Sequence, residues 1–297
     1  MRFMLASAFL WFPVSAARAH GSGGSSAWAS DPWIVLPLLA AIGLYAAGTT
    51  KLWSRAGPGR GVQPSRALCF VLGWLLLAGA LASPLHELGK RLFTAHMIEH
   101  EMLMVMAAPL LVLARPFGAM LWAFPPDARR VLGGVSQVRA LRWTRSWATD
   151  PLVATVLHGA ALWLWHMPGL YEAALASETV HWLQHFSFFA TALLFWQGVI
   201  YGRAQTGGQA AGVFYLFLTA LHSGFLGILL SIARVPLFPG QGSSAAEWGM
   251  TVLDDQQLAG LIMWVPGGLV YAAAALTLTG LWIANSGAAG SKRPLNV

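Results

Sequence analysis

"AHMIEHEMLMVMAAPLLVLARP", residues 95–116, places His96, Glu99, His100 and Glu101 at the head of a run otherwise long and apolar enough to cross a bilayer. An ionised side chain in hydrocarbon costs on the order of 2.5–3.5 kcal/mol even on the mildest insertion scale, so these groups must face protein or perform chemistry. The rest of the chain argues for a membrane setting. Of its 297 residues 57% are hydrophobic and 10% charged, and its mean hydropathy of +0.59 lies outside the usual range of soluble domains.

Apolar runs recur at 32–50, 67–84, 92–114, 151–167, 179–201, 209–232 and 256–284. Their length, and the lack of ten-residue alternation, predict an all-α polytopic membrane protein with about seven transmembrane helices in one bundle. Asp31-Pro32 and Asp150-Pro151 read as helix starts, a capping carboxylate followed by a first-turn proline. Ahead of the bundle, Arg2, a short apolar run and the ending Ala17-Arg18-Ala19 predict a cleaved signal peptide over 1–19. A short external segment, 20–31, then leads into the transmembrane domain, 32–284, and a tail, 285–297.

Basic residues orient this bundle. With the N-terminus outside, thirteen Lys and Arg fall in cytoplasmic segments (51–66, 115–145, Arg203 and the tail), against Lys90, Arg91 and Arg234 outside. The tail is then cytoplasmic, and the net charge of +7 needs no nucleic-acid partner. Residues 115–150 carry arginines among Trp122, Leu132, Leu141, Trp143 and Trp147, which suits a topology anchor or an amphipathic segment on an anionic leaflet. The single Cys69 excludes an intrachain disulfide and a CxxC metal site.

His96 and His100 stand about 40° apart around a helix, Glu99 lies about 60° from His96, and Glu101 points about 140° away. His181 and His185 repeat the device with Gln184 beside them, and His166 closes the fourth run. All five imidazoles lie within roughly 12 Å of the external ends of their helices. Such a layer in an apolar protein predicts a metal site. Met97 and Met167 adjoin it; thioether with imidazole suits copper, Cu(I) in particular, although methionine also serves as packing. Asp255 and Gln256 are candidates to accept hydrogen bonds from the ligand histidines, or to cap their own helix. His158 and His222 fall nearer mid-membrane, where they hydrogen-bond to neighbouring helices or form a bis-imidazole haem site or a proton path.

The blocks "AHMIEHEMLMVMAAPLLVLARP", "LHGAALWLWHMPGLYEAAL", "VHWLQHFSFFATALLFW" and "DDQQLAGLIMWVPGG" together resemble the polytopic CtaG family of bacterial cytochrome c oxidase assembly factors. The resemblance implies a seven-helix inner-membrane protein that serves maturation of a haem-copper oxidase and takes part in copper delivery. By position, the family's histidine motifs fall on His96, His100, His166, His181 and His185, and its DQQ block on Asp255, Gln256 and Gln257. Glu99 and Glu101 depart from it, the family commonly having glutamine and an apolar residue there. Oxidase subunits or a periplasmic copper chaperone would be the protein partners, with the lipid bilayer as surroundings. No nucleophile and base motif stands out, so catalysis is not expected. A copper-binding assembly factor, a b-type haem electron carrier and a copper or proton transporter are the competing readings.

Overall fold

The computed structural model describes residues 31–135, 137–202 and 208–290. The expected signal peptide, the segment 20–30, Arg203 and residues 291–297 of the tail lie outside the described residues. Seven principal helices carry the fold: α1 (Pro32–Ala56), α2 (Pro64–Ala82), α3 (Phe93–Ala114), α4 (Pro151–Trp165), α5 (Glu178–Tyr201), α6 (Gln209–Ile232) and α7 (Val252–Gly290). No strand occurs among the described residues.

The helix starts follow from the sequence chemistry. Asp31 Oδ1 accepts from Trp33 N at 2.9 Å, and Asp150 Oδ1 accepts from Leu152 N and Val153 N at 3.0 and 3.3 Å, each ahead of a first-turn proline. Six of the principal helices are long and apolar enough to cross a membrane. α4 is the exception, with 15 residues; it spans about 22 Å, short of a hydrocarbon core of about 30 Å. It nevertheless runs antiparallel beside α5 over its whole length, since Trp165 Nε1 donates to Ser187 Oγ at 2.7 Å and Pro151 backs onto Gly198. Large apolar side chains face outward throughout, Leu276 and Ile283 being 73% and 66% exposed. Lipid, not water, is the solvent for such a surface, and the protein is a multi-pass membrane protein.

The chain forms two compact units. Of the described residues, one comprises 31–87 with 110–147. Its core is Tyr45 stacked on Phe70, ring centroids 3.7 Å apart, with Val62, Ala114 and Ala119. Gly48 leaves no room for a side chain against the Ala119 carbonyl, so α1 lies directly on the short helix Pro116–Leu121. Two further short helices, Pro126–Val135 and Arg139–Ala148, bury none of their residues and present Val131, Trp143 and Trp147 outward.

The second unit comprises Leu88–Pro109 and the described residues of 148–290. Its tightest crossing is α6 on α7, where a Cβ on Gly227 would stand 2.7 Å from the Gly260 carbonyl oxygen. Ser231 Oγ donates there to the carbonyls of Gly227 and Gln257 at 2.9 and 3.2 Å. Small residues let the backbones touch, which is how helices associate where lipid removes any hydrophobic drive. Within α3, Met102–Ala107 is wound as a π-helix directly after the histidine turn. Trp196 Nε1 donates to the Met104 carbonyl at 2.9 Å, capturing an oxygen in the irregular stretch.

Gly260→Ala should destabilise the protein by about 1–3 kcal/mol through overpacking. Gly280→Ala, at a position with nothing within 4 Å, should leave stability unchanged or slightly raised, as alanine favours helix. Thermal unfolding of the two variants in detergent checks the pair.

Candidate functional site

The N-terminus of α3 begins after Leu92 and has no capping side chain of its own. Asp255, in the first turn of α7, supplies one from another helix. Its carboxylate accepts from Phe93 N and Thr94 N at 2.7 and 2.8 Å, and Thr94 Oγ1 donates to its carbonyl at 3.2 Å. Gln256 Oε1 accepts from Leu237 N at 2.6 Å, while Gln256 Nε2 and Gln257 Nε2 donate to the carbonyls of Leu230 and Ala233 at 3.5 and 2.9 Å. Asp255 and Gln256 are therefore spent on backbone, Asp255 on α3, not on its own helix. A buried N–H left without an acceptor is costly, and this explains an acid with no exposure at all.

That anchorage sets His96 and His100 one to two turns into α3, level with His181 and His185 on α5. Ring centroids are 4.2 Å apart within the α3 pair and 4.3 Å within the α5 pair. Between helices His96 stands 5.6 Å from His181 and 5.9 Å from His185, and His100 stands 5.1 Å from His185. All four are buried. Glu99 Oε1 lies 3.4 Å from His185 Nε2. Gly89 leaves it room, since a Cβ there would stand 3.0 Å from Glu99 Oε2.

Several nitrogens hold unused lone pairs. Neither ring nitrogen of His100 has a hydrogen-bond partner among the described residues. His166 Nδ1 lies 2.7 Å from the Leu162 carbonyl, which can only accept, so Nδ1 carries the proton and the partnerless Nε2 is left bare. A second ring nitrogen held in this way is the usual support of a metal-ligating histidine. The amide of Gln184, fully buried between His181 and His185 on α5, is likewise without a partner among the described residues.

Two aromatic residues that the sequence did not signal bound the group. Phe188 lies under His100 and His166, at 4.7 and 6.1 Å between centroids. Its place three residues beyond His185 was the only hint. Tyr171, on the linking helix Pro168–Ala176, meets His96 edge-on at 5.5 Å. Burial, with the carboxylates of Asp255 and Glu99 facing it, holds its phenol well above the usual range, so it stays neutral.

The two thioethers stand apart from the imidazoles. Met97 packs with Phe93, Tyr171, Leu230 and Phe238, and Met167, ahead of the linking helix, is more than half exposed. Glu101 turns away as its angle predicts, its Oε2 lying 2.7 Å from where a Cβ on Gly267 would stand.

A metal–imidazole bond of about 2.0–2.1 Å puts the ring centroid about 3.2 Å from the ion, and two tetrahedral ligands then have centroids about 5 Å apart. The distances of 5.1–5.9 Å between helices suit this; those of 4.2–4.3 Å within each helix are too short and would open by side-chain rotation. In keeping with this, no three His, Cys, Asp or Glu among the described residues are already arranged to hold a metal ion. The donor types and cross-helix spacing fit an imidazole-bound cation.

A polytopic helical membrane protein with a buried imidazole group at one end of its second unit is the class that fold and site define. The family model for cytochrome c oxidase caa3 assembly factor (Caa3_CtaG) matches residues 43–285, and the chain belongs to that family. No curated protein and no solved structure matches it. Every histidine of the group falls inside the matched stretch.

Asp255→Ala should strand the amides of Phe93 and Thr94 at about 1–3 kcal/mol each. Asp255→Asn, which keeps one acceptor oxygen, should cost less. Midpoints of thermal unfolding should therefore fall in the order wild type, Asn, Ala.

Proposed function

We propose that this protein binds copper in its imidazole group and promotes metallation of a haem-copper cytochrome c oxidase, acting as an assembly factor without turnover of its own. The single observation that carries the proposal is the convergence of His96, His100, His181 and His185 in a buried site at metal-compatible spacing between helices. Neutral imidazole suits copper among the first-row metals. His166 Nε2 is an additional donor, and the Glu99 carboxylate would offset one positive charge of the cargo. Met97 and Met167 would join only after rearrangement.

The family membership supplies the oxidase as the object of assembly. The basic-residue count supports an external N-terminus and a cytoplasmic tail in a bacterial inner membrane. On that orientation the imidazole end faces the periplasm, where a periplasmic copper chaperone would deliver the ion and the apolar helix surfaces would meet oxidase subunits. Haem is less well supported at this site. Two imidazoles on opposite faces of a haem iron would have centroids about 6.4 Å apart, whereas the measured pairs stand 4.2–5.9 Å apart.

Orientation is checked by reporter fusions. A fusion within 125–145 should show no alkaline phosphatase activity, and strong activity there would reverse the sidedness. A deletion strain should assemble oxidase that retains haem and is depleted in copper; oxidase with full copper and normal activity would refute the assembly role. Complementation by a His96→Ala, His100→Ala variant should fail although the variant reaches the membrane, whereas Asp127→Asn, at an exposed position, should restore it. Copper retained by the purified protein should fall as pH is lowered, because protons compete for the imidazole lone pairs.

A further inference from the structure

Deeper in the second unit a smaller imidazole pair is built with the same chemistry. His158, on α4, is fully buried, and its Nδ1 lies 3.2 Å from Thr191 Oγ1 on α5. The Thr191 hydroxyl has one hydrogen, which it directs to the Ser187 carbonyl at 2.7 Å or the Phe188 carbonyl at 3.2 Å. Towards His158 it can only accept, so Nδ1 of His158 carries the ring proton and Nε2 is a bare lone pair. That nitrogen has no partner among the described residues, and neither has either ring nitrogen of His222 on α6. Gly159, next to His158, makes room for the second ring: a Cβ there would stand 3.3 Å from His222 Nε2 and 3.4 Å from its Cε1. The simple account of two histidines bonded to neighbouring helices thus holds for one nitrogen of four.

We infer that His158 and His222 form a second metal site, separate from the four-imidazole group, for a single Cu(I) ion. Thr191 stands thirteen residues on from Glu178, about 20 Å along α5, and Phe188 lies between the two tiers on that helix. The donor count selects the ion. Zinc asks for four ligands, and no third His, Cys, Asp or Glu joins the pair to make a metal-holding group among the described residues. Cu(I) is stable with two imidazoles in line. Charge selects in the same direction, because among the described residues no carboxylate joins the pair to make such a group and the cost of burying an ion rises with the square of its charge. A porphyrin does not suit the place, because the edge of His222 lies against Gly159 and His158 stacks on Phe195 at 5.4 Å. The Thr191 hydroxyl acts as the acceptor that fixes the tautomer of the ligand.

The test titrates the full chain in lipid nanodiscs with Cu(I), anaerobically, against a chromogenic Cu(I) chelator. His158→Gln with His222→Gln should remove one equivalent from the otherwise unaltered protein. A variant lacking His96, His100, His181 and His185 should retain one equivalent, and X-ray absorption of the retained ion should show two short nitrogen bonds and no sulfur. Thr191→Val should weaken the retained ion about 10–100-fold, the usual loss when such an acceptor is removed. Unchanged stoichiometry in the His158→Gln, His222→Gln protein would overturn the inference. If instead the four-histidine variant lost no copper while the deeper pair still lost one equivalent, the inference would stand and the reading of the upper group would fall.

Discussion

The carboxylate of Asp255 on the first two amides of α3 is the bond on which the placement of the histidines depends. A helix start presents N–H groups that nothing inside the helix can satisfy, and beneath a membrane surface water is a poor substitute. Closing those groups with a charge from α7 fixes two helices in depth at once. Gln241 extends the same logic by donating to the Gly89 carbonyl at 2.7 Å, tying the loop between α6 and α7 to the residues just before α3. His96 and His100 are thereby held at a defined level against His181 and His185, and two turns of one helix become half of a four-residue group. The acid and amides of "DDQQ" fix the level of the imidazole group through backbone position, without touching an imidazole.

Imidazole is also the side chain that makes such a group affordable within an apolar unit. Neutral, it loses far less on burial than a carboxylate or ammonium, yet it keeps a lone pair strong enough for a metal. The arrangement spends one ionisable acid, Glu99, where an imidazole nitrogen stands 3.4 Å away. It sends the next, Glu101, to the opposite side against Gly267. The π-helical turns that follow alter the helical phase just past this point, and Trp196 takes up the carbonyl of Met104 there.

Much of this was legible in the chain, for definite reasons. Run length and composition gave the helical membrane class, and Asp31-Pro32 and Asp150-Pro151 announced their helices because capping is local chemistry. The i, i+4 spacing of His96 with His100 and of His181 with His185 placed each pair on one face. Angular position also separated Glu99 from Glu101. What pattern could not convey was contact between segments far apart in sequence. Nothing near Leu92 says that its helix is capped from residue 255, and nothing in Tyr171 says that it stands against His96. Met97 follows His96 in sequence but is turned by about 100° around the helix, and so joins Phe93, Leu230 and Phe238 instead. The shortness of α4 was concealed by His166 and Met167, which carry the run on beyond Trp165, its last helical residue.

The two imidazole tiers differ in one respect that bears on what each can hold. The upper tier has Glu99 within it, so one unit of positive charge could be taken up there with no net charge gained by the buried region. The lower tier has Thr191, Phe195 and Gly159 around it, and no acid among the described residues joins it in a metal-holding group. In a medium of low dielectric the difference is decisive, because an uncompensated charge loses its hydration and recovers it only through fixed dipoles. An upper site with a carboxylate could therefore tolerate copper in either common oxidation state. A lower site of neutral donors would favour the singly charged ion. On the proposed reading, passage between them would ask the ion to leave its carboxylate and cross Phe188, and that barrier would make the upper tier the place of exchange with partners.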